Sequence, residues 1–157
     1  MKFYFGCENR PRNGYTNIDT HEAGMSYPPE VIDSHFGEGC LDNFELAEEI
    51  IADNVLSRFT VSDAPDVIKY WLSRLSEDGC LIITTVDFVN LQTLYADRRI
   101  SHNQLNTEIF GNVFNNNTRN KSIWDVESLK SVIELVGAKI TSLRLEGVLV
   151  IVEIKKQ

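Results

Sequence analysis

The chain has 157 residues, 43% hydrophobic and 10% aromatic, which is the size of one globular domain able to bury an apolar core. Its formal net charge is −8, and the 15 basic residues are scattered, with no stripe that would follow a phosphate backbone, so nucleic acid is disfavoured as a partner. No charged-then-apolar leader opens the chain and no apolar run nears the roughly 20 residues that span a bilayer, so a cytoplasmic protein without a membrane partner is expected.

In chain order, Lys2 to Phe5 is a short aromatic strand ending at Gly6. Tyr15 to Asp19 is the next, and a Pro/Asn/Gly loop stands between them where a helix would be usual, so the first crossover is reduced. Val31-Ile32 is a short third strand and Glu49 to Val55 a fourth. Between Phe59 and Gly79 a helix is expected, with Asp63 as N-cap, Pro65 in the first turn, Val67, Ile68, Trp71, Leu72 and Leu75 at helical spacing, and Gly79 as its close.

Cys80 to Val86 is a nearly continuous β-branched run, the pattern of a strand covered on both faces in the middle of a sheet. Asn90 to Phe110 reads as helical with weak periodicity, and the Asn-rich tract from Asn112 to Asn120 as a flexible loop. A capped helix then runs from Asp125 through Leu129, Val132, Ile133 and Val136 to Gly137. The last segments, Lys139 to Leu145 and Val148 to Ile154 about a Glu146-Gly147 turn, form a hairpin. Strands alternating with helices imply a parallel sheet, so the hairpin places one antiparallel strand in or beside it.

In such a sheet, ligands bind beyond the carboxyl ends of the strands where strand order reverses. Gly6 follows the first strand, where a missing side chain lets backbone N–H groups approach a ligand. Asp19 ends the second, placed to accept hydrogen bonds from vicinal ribose hydroxyls, and Asp53-Asn54 ends the fourth on the opposite wall. Cys7, Cys40 and Cys80 form no CxxC pair and lie far from the three histidines, so free thiols and no metal site are expected. His21, His35 and His102 share no ligand spacing and read as surface residues, while Trp71 and Trp124 belong to the core.

The segment FGCENRPRNGYTNID resembles the opening of the small type-11 class of Rossmann-type S-adenosylmethionine-dependent methyltransferases, in which a glycine loop leads through a short connection to a strand ending in Asp. EEIIADNVLSRF resembles that class's fourth strand and following turn, WLSRLSEDGCLIITTVDF its helix, glycine turn and fifth strand, and WDVESLKSVIELVGAK its last helix. The resemblance implies an α/β fold, a seven-stranded, mostly parallel sheet with an antiparallel C-terminal strand, and one methyltransferase-like domain over residues 1–157. It implies S-adenosylmethionine as cofactor and a small-molecule or sugar-like acceptor.

By resemblance, Phe5, Gly6, Cys7 and Glu8 form the cofactor loop, with Gly6 and Cys7 contacting the methionine part through their backbone. Asp19 with Thr20 marks the ribose, Asp33 the adenine side, and Asp53, Asn54 and Val55 the wall beside the sulfonium. Asp87, Asn120 and Lys121 are expected to roof the site toward substrate. Two departures bear on turnover. Glu8 replaces the class's second loop glycine, and its HxxEH pattern reads Asn54-Val55-Leu56-Ser57-Arg58, so no histidine base stands there.

These departures leave a second reading, a catalytically degenerate cofactor-binding module. A nicotinamide enzyme is disfavoured, because no GxGxxG opens a helix after the first strand. With no helical cap ahead of the first strand, a homo-oligomer would complete the site.

Overall fold

The computed structural model describes residues 1–8, 10–22, 24–111 and 119–157, so most of the Asn-rich tract read as a flexible loop lies outside the described residues. The strands are β1 (Lys2–Phe5), β2 (Thr16–Asp19), β3 (Val31–Asp33), β4 (Ala47–Asp53), β5 (Leu75–Val86), β6 (Lys139–Glu146) and β7 (Leu149–Lys155). The helices are α1 (Ala64–Ser73), α2 (Phe88–Ala96), α3 (His102–Phe110) and α4 (Val126–Leu135), with a single 3-10 turn at Leu56–Arg58.

The strands form one seven-stranded sheet in the order β3-β2-β1-β4-β5-β7-β6. β1 to β5 pair in parallel, and β7 is antiparallel to both β5 and β6. The terminal hairpin is therefore inserted, with β7 between β5 and β6. Its turn falls on Gly147-Val148, since Glu146 pairs with Leu149, one residue later than the sequence suggests.

Alternation along β1 sends Phe3 and Phe5 into the core and leaves Lys2 and Tyr4 on the opposite, half-exposed face. On the core side, Ile50, Ala52, Leu81, Ile83, Val150 and Val152 meet the apolar stripes of α1 (Ile68, Trp71) and α4 (Leu129, Ile133). On the other side the β1–β2 connection carries no helix among the described residues. Buried Asn17 replaces it as an anchor, accepting from the Arg12 N–H at 2.7 Å and donating to the carbonyls of Arg12 and Tyr15. Arg12 thereby lies over the rings of Tyr4 and Tyr15.

Several sequence expectations change. The helix after Phe59 closes at Ser73, not Gly79. Leu75 continues the apolar stripe, but pairing with Ala47 claims it for β5, and the Arg74 guanidinium fastens the junction by donating to the carbonyls of Leu41 and Phe44. Gly79 serves the register shift that follows, where an added Cβ would stand 2.7 Å from the Ala47 carbonyl oxygen. Asp63 occupies the N-cap position without a side-chain cap bond, and its carboxylate instead accepts from the Thr60 hydroxyl at 2.6 Å.

The segment from Asn90 to Phe110 is two helices, broken where Arg98 takes a left-handed φ of 57° and Ser101 with Gln104 closes a capping box. Only Leu91 of their side chains is buried, which is why the periodicity was weak. By contrast Asp125 caps α4 as expected, accepting from the Ser128 N–H at 2.8 Å.

Trp71 is the keystone of the α1 contact. It is fully buried, packs on Phe5 and Phe59, and donates its indole N–H to the Phe36 carbonyl at 2.8 Å. Trp71→Ala is expected to cost about 3–5 kcal/mol of unfolding free energy, read as a lowered urea midpoint.

Candidate cofactor site

The site begins at the turn after β1. Gly6 has φ of 76°, and a Cβ there would lie 2.4 Å from the Asp53 carbonyl oxygen and 2.8 Å from Val55 Cγ2. Only glycine lets the first loop press against the end of β4 in this way. The Gly6 N–H is held by the Ile18 carbonyl at 3.1 Å, so the ends of β2, β1 and β4 are locked side by side.

Cys7 follows, buried, with its thiol toward the Glu8 carbonyl. Burial, and next the charge of Asp19, push that thiol from 9.0 up to about 11. Glu8 adopts a left-handed backbone, φ 50°, doing without the glycine that the resemblance led one to expect. Its side chain is 66% exposed and pairs loosely with Arg10, while its backbone N–H donates to Asp19 Oδ2 at 2.6 Å. The glutamate side chain is thus solvent-exposed beside Arg10 on the pocket's lining, and its backbone serves the loop.

Asp19 is only 2% exposed. Besides Glu8, the Thr20 N–H donates to its Oδ1 at 2.8 Å and Arg58 Nη1 reaches the same oxygen at 3.3 Å. The Thr20 hydroxyl donates to the Ser34 carbonyl at 3.3 Å, tying β2 to the segment after β3. On the opposite wall, Tyr4 donates its hydroxyl to Asp53 Oδ2 at 2.7 Å, and burial with that bond raises the tyrosine's pKa. Asn54 turns with φ 53°, its N–H bonded to the Thr84 carbonyl.

A pocket of about 350 Å³ opens here, within the range of small-molecule sites. Gly6, Cys7, Glu8, Asp53 and Asn54, all named from sequence, line it, joined by Tyr4, Arg10, Arg58 and Leu149, which were not. Tyr4 could have been found from its alternation with the core residues Phe3 and Phe5, which puts it on the opposite face of β1, paired with Ile51 of β4. Nothing local marks Arg58.

Asp19 and Thr20 are not among the residues that line it, and the other named residues also stand apart from this pocket. Phe5 points into the core against Phe36 and Trp71, leaving only its backbone near the loop. Val55 is buried beneath Gly6. Asp33 is exposed on β3 and accepts the His21 N–H at 2.8 Å. Asp87 is buried, capping α2 through the Asn90 N–H at 2.8 Å and accepting the Val126 N–H at 3.2 Å, so both its oxygens are engaged.

Asn120 accepts the Ser57 hydroxyl at 2.9 Å and donates to the carbonyls of Glu108 and Ile109. Its seam with Asn54 and Ser57 encloses only about 10 Å³, room for a water. Lys121 is exposed, its N–H on the Ser57 carbonyl. Among the described residues no cluster of three or more His, Cys, Asp or Glu is arranged to hold a metal, and all three cysteines are free.

No protein-family model and no curated protein sequence matches the chain. Solved structures do. Magnesium protoporphyrin IX methyltransferase from Synechocystis, with bound S-adenosylhomocysteine, superposes with a TM-score of 0.57 at 11% identity, covering 100% of this chain and 74% of that one. An O-methyltransferase family 2 protein from Planctomyces limnophilus, in complex with apigenin, gives 0.56 at 17% identity over 81% of this chain and 35% of that one. An O-methyltransferase from neocarzinostatin biosynthesis, bound to S-adenosylmethionine and 2-hydroxy-5-methyl naphthoic acid, gives 0.51 at 12%, covering 81% and 33%. The chain thus spans about a third of the length of the two O-methyltransferases.

These likenesses and the strand order agree on one fold. It is that of the class I, Rossmann-type S-adenosylmethionine-dependent methyltransferases, with a seven-stranded sheet and an inserted antiparallel β7.

Gly6→Ala is expected to destabilise the protein by about 2–5 kcal/mol, from the left-handed backbone and the clash with the β4 end, measured by urea unfolding. A second outcome concerns pH. The thiols of Cys7 and Cys40, both pushed chiefly by burial from 9.0 to about 11, hold their proton more tightly folded than unfolded. Their contribution is complete below about pH 9 and is lost as pH rises toward 11, so the urea midpoint falls across that interval and thiol alkylation follows it.

Proposed function

We propose that this chain binds S-adenosylmethionine in the pocket at the ends of β1 and β4, beside the end of β2, and transfers its methyl group to a small-molecule acceptor. The observation that carries the reading is Gly6, whose missing Cβ brings the loop against the Asp53 carbonyl in a chain with the methyltransferase strand order. In this reading the backbone from Gly6 to Glu8 holds the methionine part, Asp19 receives the ribose hydroxyls, and Asp53 and Asn54 form the wall beside the reacting carbon.

The bound cofactor supplies an electrophilic methyl group on a sulfonium. The chain's part is to hold acceptor, methyl carbon and sulfur in line and keep the loop end dry, which supplies much of the rate acceleration without covalent help. For an acceptor that is already nucleophilic or ionised, no base from the protein is required. Neighbours of the same fold are solved in complex with apigenin and a hydroxynaphthoic acid, which supports aromatic hydroxy compounds as the first acceptors to try.

The case for a degenerate module rests partly on Glu8, and its left-handed backbone, which keeps the loop N–H on Asp19 without a glycine, weakens that case. The same reading takes residues 1–157 as one domain acting in the cytoplasm, completed by a second copy of the chain. Among the described residues no helix is long and apolar enough to cross a membrane.

Calorimetry with S-adenosylmethionine and S-adenosylhomocysteine is expected to show one-site binding with Kd on the order of micromolar. Methyl-labelled cofactor is then expected to pass label to an extract of small hydroxy aromatics. Absence of binding by either cofactor form sinks the reading, and binding without any label transfer leaves the module reading in its place.

A further inference from the structure

β1 lies between β2 and β4 in the sheet, so the ends of β2 and β4 face each other across the first loop. Asp19 belongs to one wall. Arg58 belongs to the other, in the 3-10 turn just past β4, which buried Leu56 and Ser57 fix in place. The Arg58 side chain nevertheless crosses the gap: its guanidinium stands 5.1 Å over the Phe36 ring and 3.3 Å from Asp19 Oδ1. The two side chains are 13% and 3% exposed.

The three donors to Asp19 are not equivalent. The N–H groups of Glu8 and Thr20, at 2.6 and 2.8 Å, belong to backbone and cannot leave without undoing the first loop or the end of β2. The Arg58 bond is the longest of the three and comes from a side chain with rotatable torsions. A carboxylate offers about four lone-pair positions, and a ribose diol asks for two of them. With 2% of Asp19 exposed and Arg58 bonded to Oδ1, a diol reaches the carboxylate only when a neighbouring group moves.

We propose that Arg58 is a built-in competitor for the cofactor site: it holds the part of Asp19 that a ribose diol takes, and cofactor binding displaces it. This rests on the reading that the pocket takes S-adenosylmethionine. Arg58 also lines that pocket, so displacement moves the guanidinium within the site. Separating two largely desolvated charges draws on the binding energy, and Arg58 therefore sets the affinity without being required for it. A charge-assisted bond from a ribose hydroxyl to the carboxylate replaces the one lost.

Calorimetric titration of S-adenosylhomocysteine and of its 2′,3′-dideoxy analogue into the wild type, Arg58→Gln and Arg58→Lys tests this. Arg58→Gln is expected to bind S-adenosylhomocysteine about tenfold more tightly than the wild type. The gain is expected to vanish with the dideoxy analogue, and Arg58→Lys to fall between. Unchanged or weaker binding by a folded Arg58→Gln variant, with the wild type still binding, overturns the proposal alone. If no form binds, the functional reading fails and the proposal with it.

Should Arg58→Gln not fold, the wild type answers by NMR. The Arg58 side-chain Nε–H resonance is expected to shift on saturation with S-adenosylhomocysteine and to stay nearly in place with the dideoxy analogue. A resonance unmoved at saturation with S-adenosylhomocysteine overturns displacement.

Discussion

The close approach of Gly6 to the Asp53 carbonyl is the constraint on which the rest of the site depends. Parallel strands normally end at similar heights and diverge into their own loops. Here the left-handed turn at Gly6 keeps the first loop against the neighbouring strand, and the Gly6 N–H on Ile18 draws β2 into the same cluster. Three strand ends are then fixed together by backbone alone, with Asp53 on the pocket wall and Asp19 buried beside it under its three donors. Preorganisation of that kind costs little at the moment of binding, because the ordering was completed on folding.

The fold also shows how a chain of 157 residues keeps a seven-stranded sheet with a shortened first crossover. A helix would ordinarily cover the Tyr4 face of β1. In its place the connection folds back over that face, pinned by Asn17 through three bonds and covered by Arg12 across two tyrosine rings. Amphipathic side chains do there what an apolar helix face does elsewhere: their stems and rings exclude water while their polar tips remain solvated. Tyr4 has a foot in both worlds, since its ring belongs to this cladding and its hydroxyl to Asp53.

Much of this was legible in the sequence where the signal is local. The alternation of Phe3 and Phe5, the β-branched run from Cys80, the cap at Asp125 and the terminal hairpin each follow from a few consecutive residues, and the structure has each of them. Gly79 misled because glycine marks two different needs, a helix end or a close strand approach, and only the register shift beside Ala47 distinguishes them. The break between α2 and α3 was hidden because both helices are mostly exposed, so no apolar stripe marked their phase. Arg58 was illegible for a third reason: its partner is 39 residues away, and an ion pair leaves no periodic trace.

Asp19 concentrates these lessons in one carboxylate. Sequence position assigns it to a ligand, and the structure gives it three intramolecular donors. The two roles are compatible only if the donors differ in permanence, and their origin divides them in that way: two come from backbone that the fold cannot release, and one from a side chain on the far wall. The backbone pair keeps the carboxylate aimed and partly satisfied in every state. The guanidinium adds the one charged partner to a carboxylate with little water contact, which offsets part of the cost of burying it. On the proposal that a ribose diol takes this carboxylate, a residue that stabilises it without ligand must weaken binding by part of the same interaction. The arginine across the cleft is thus the thermodynamic counterpart of burying Asp19 so deeply.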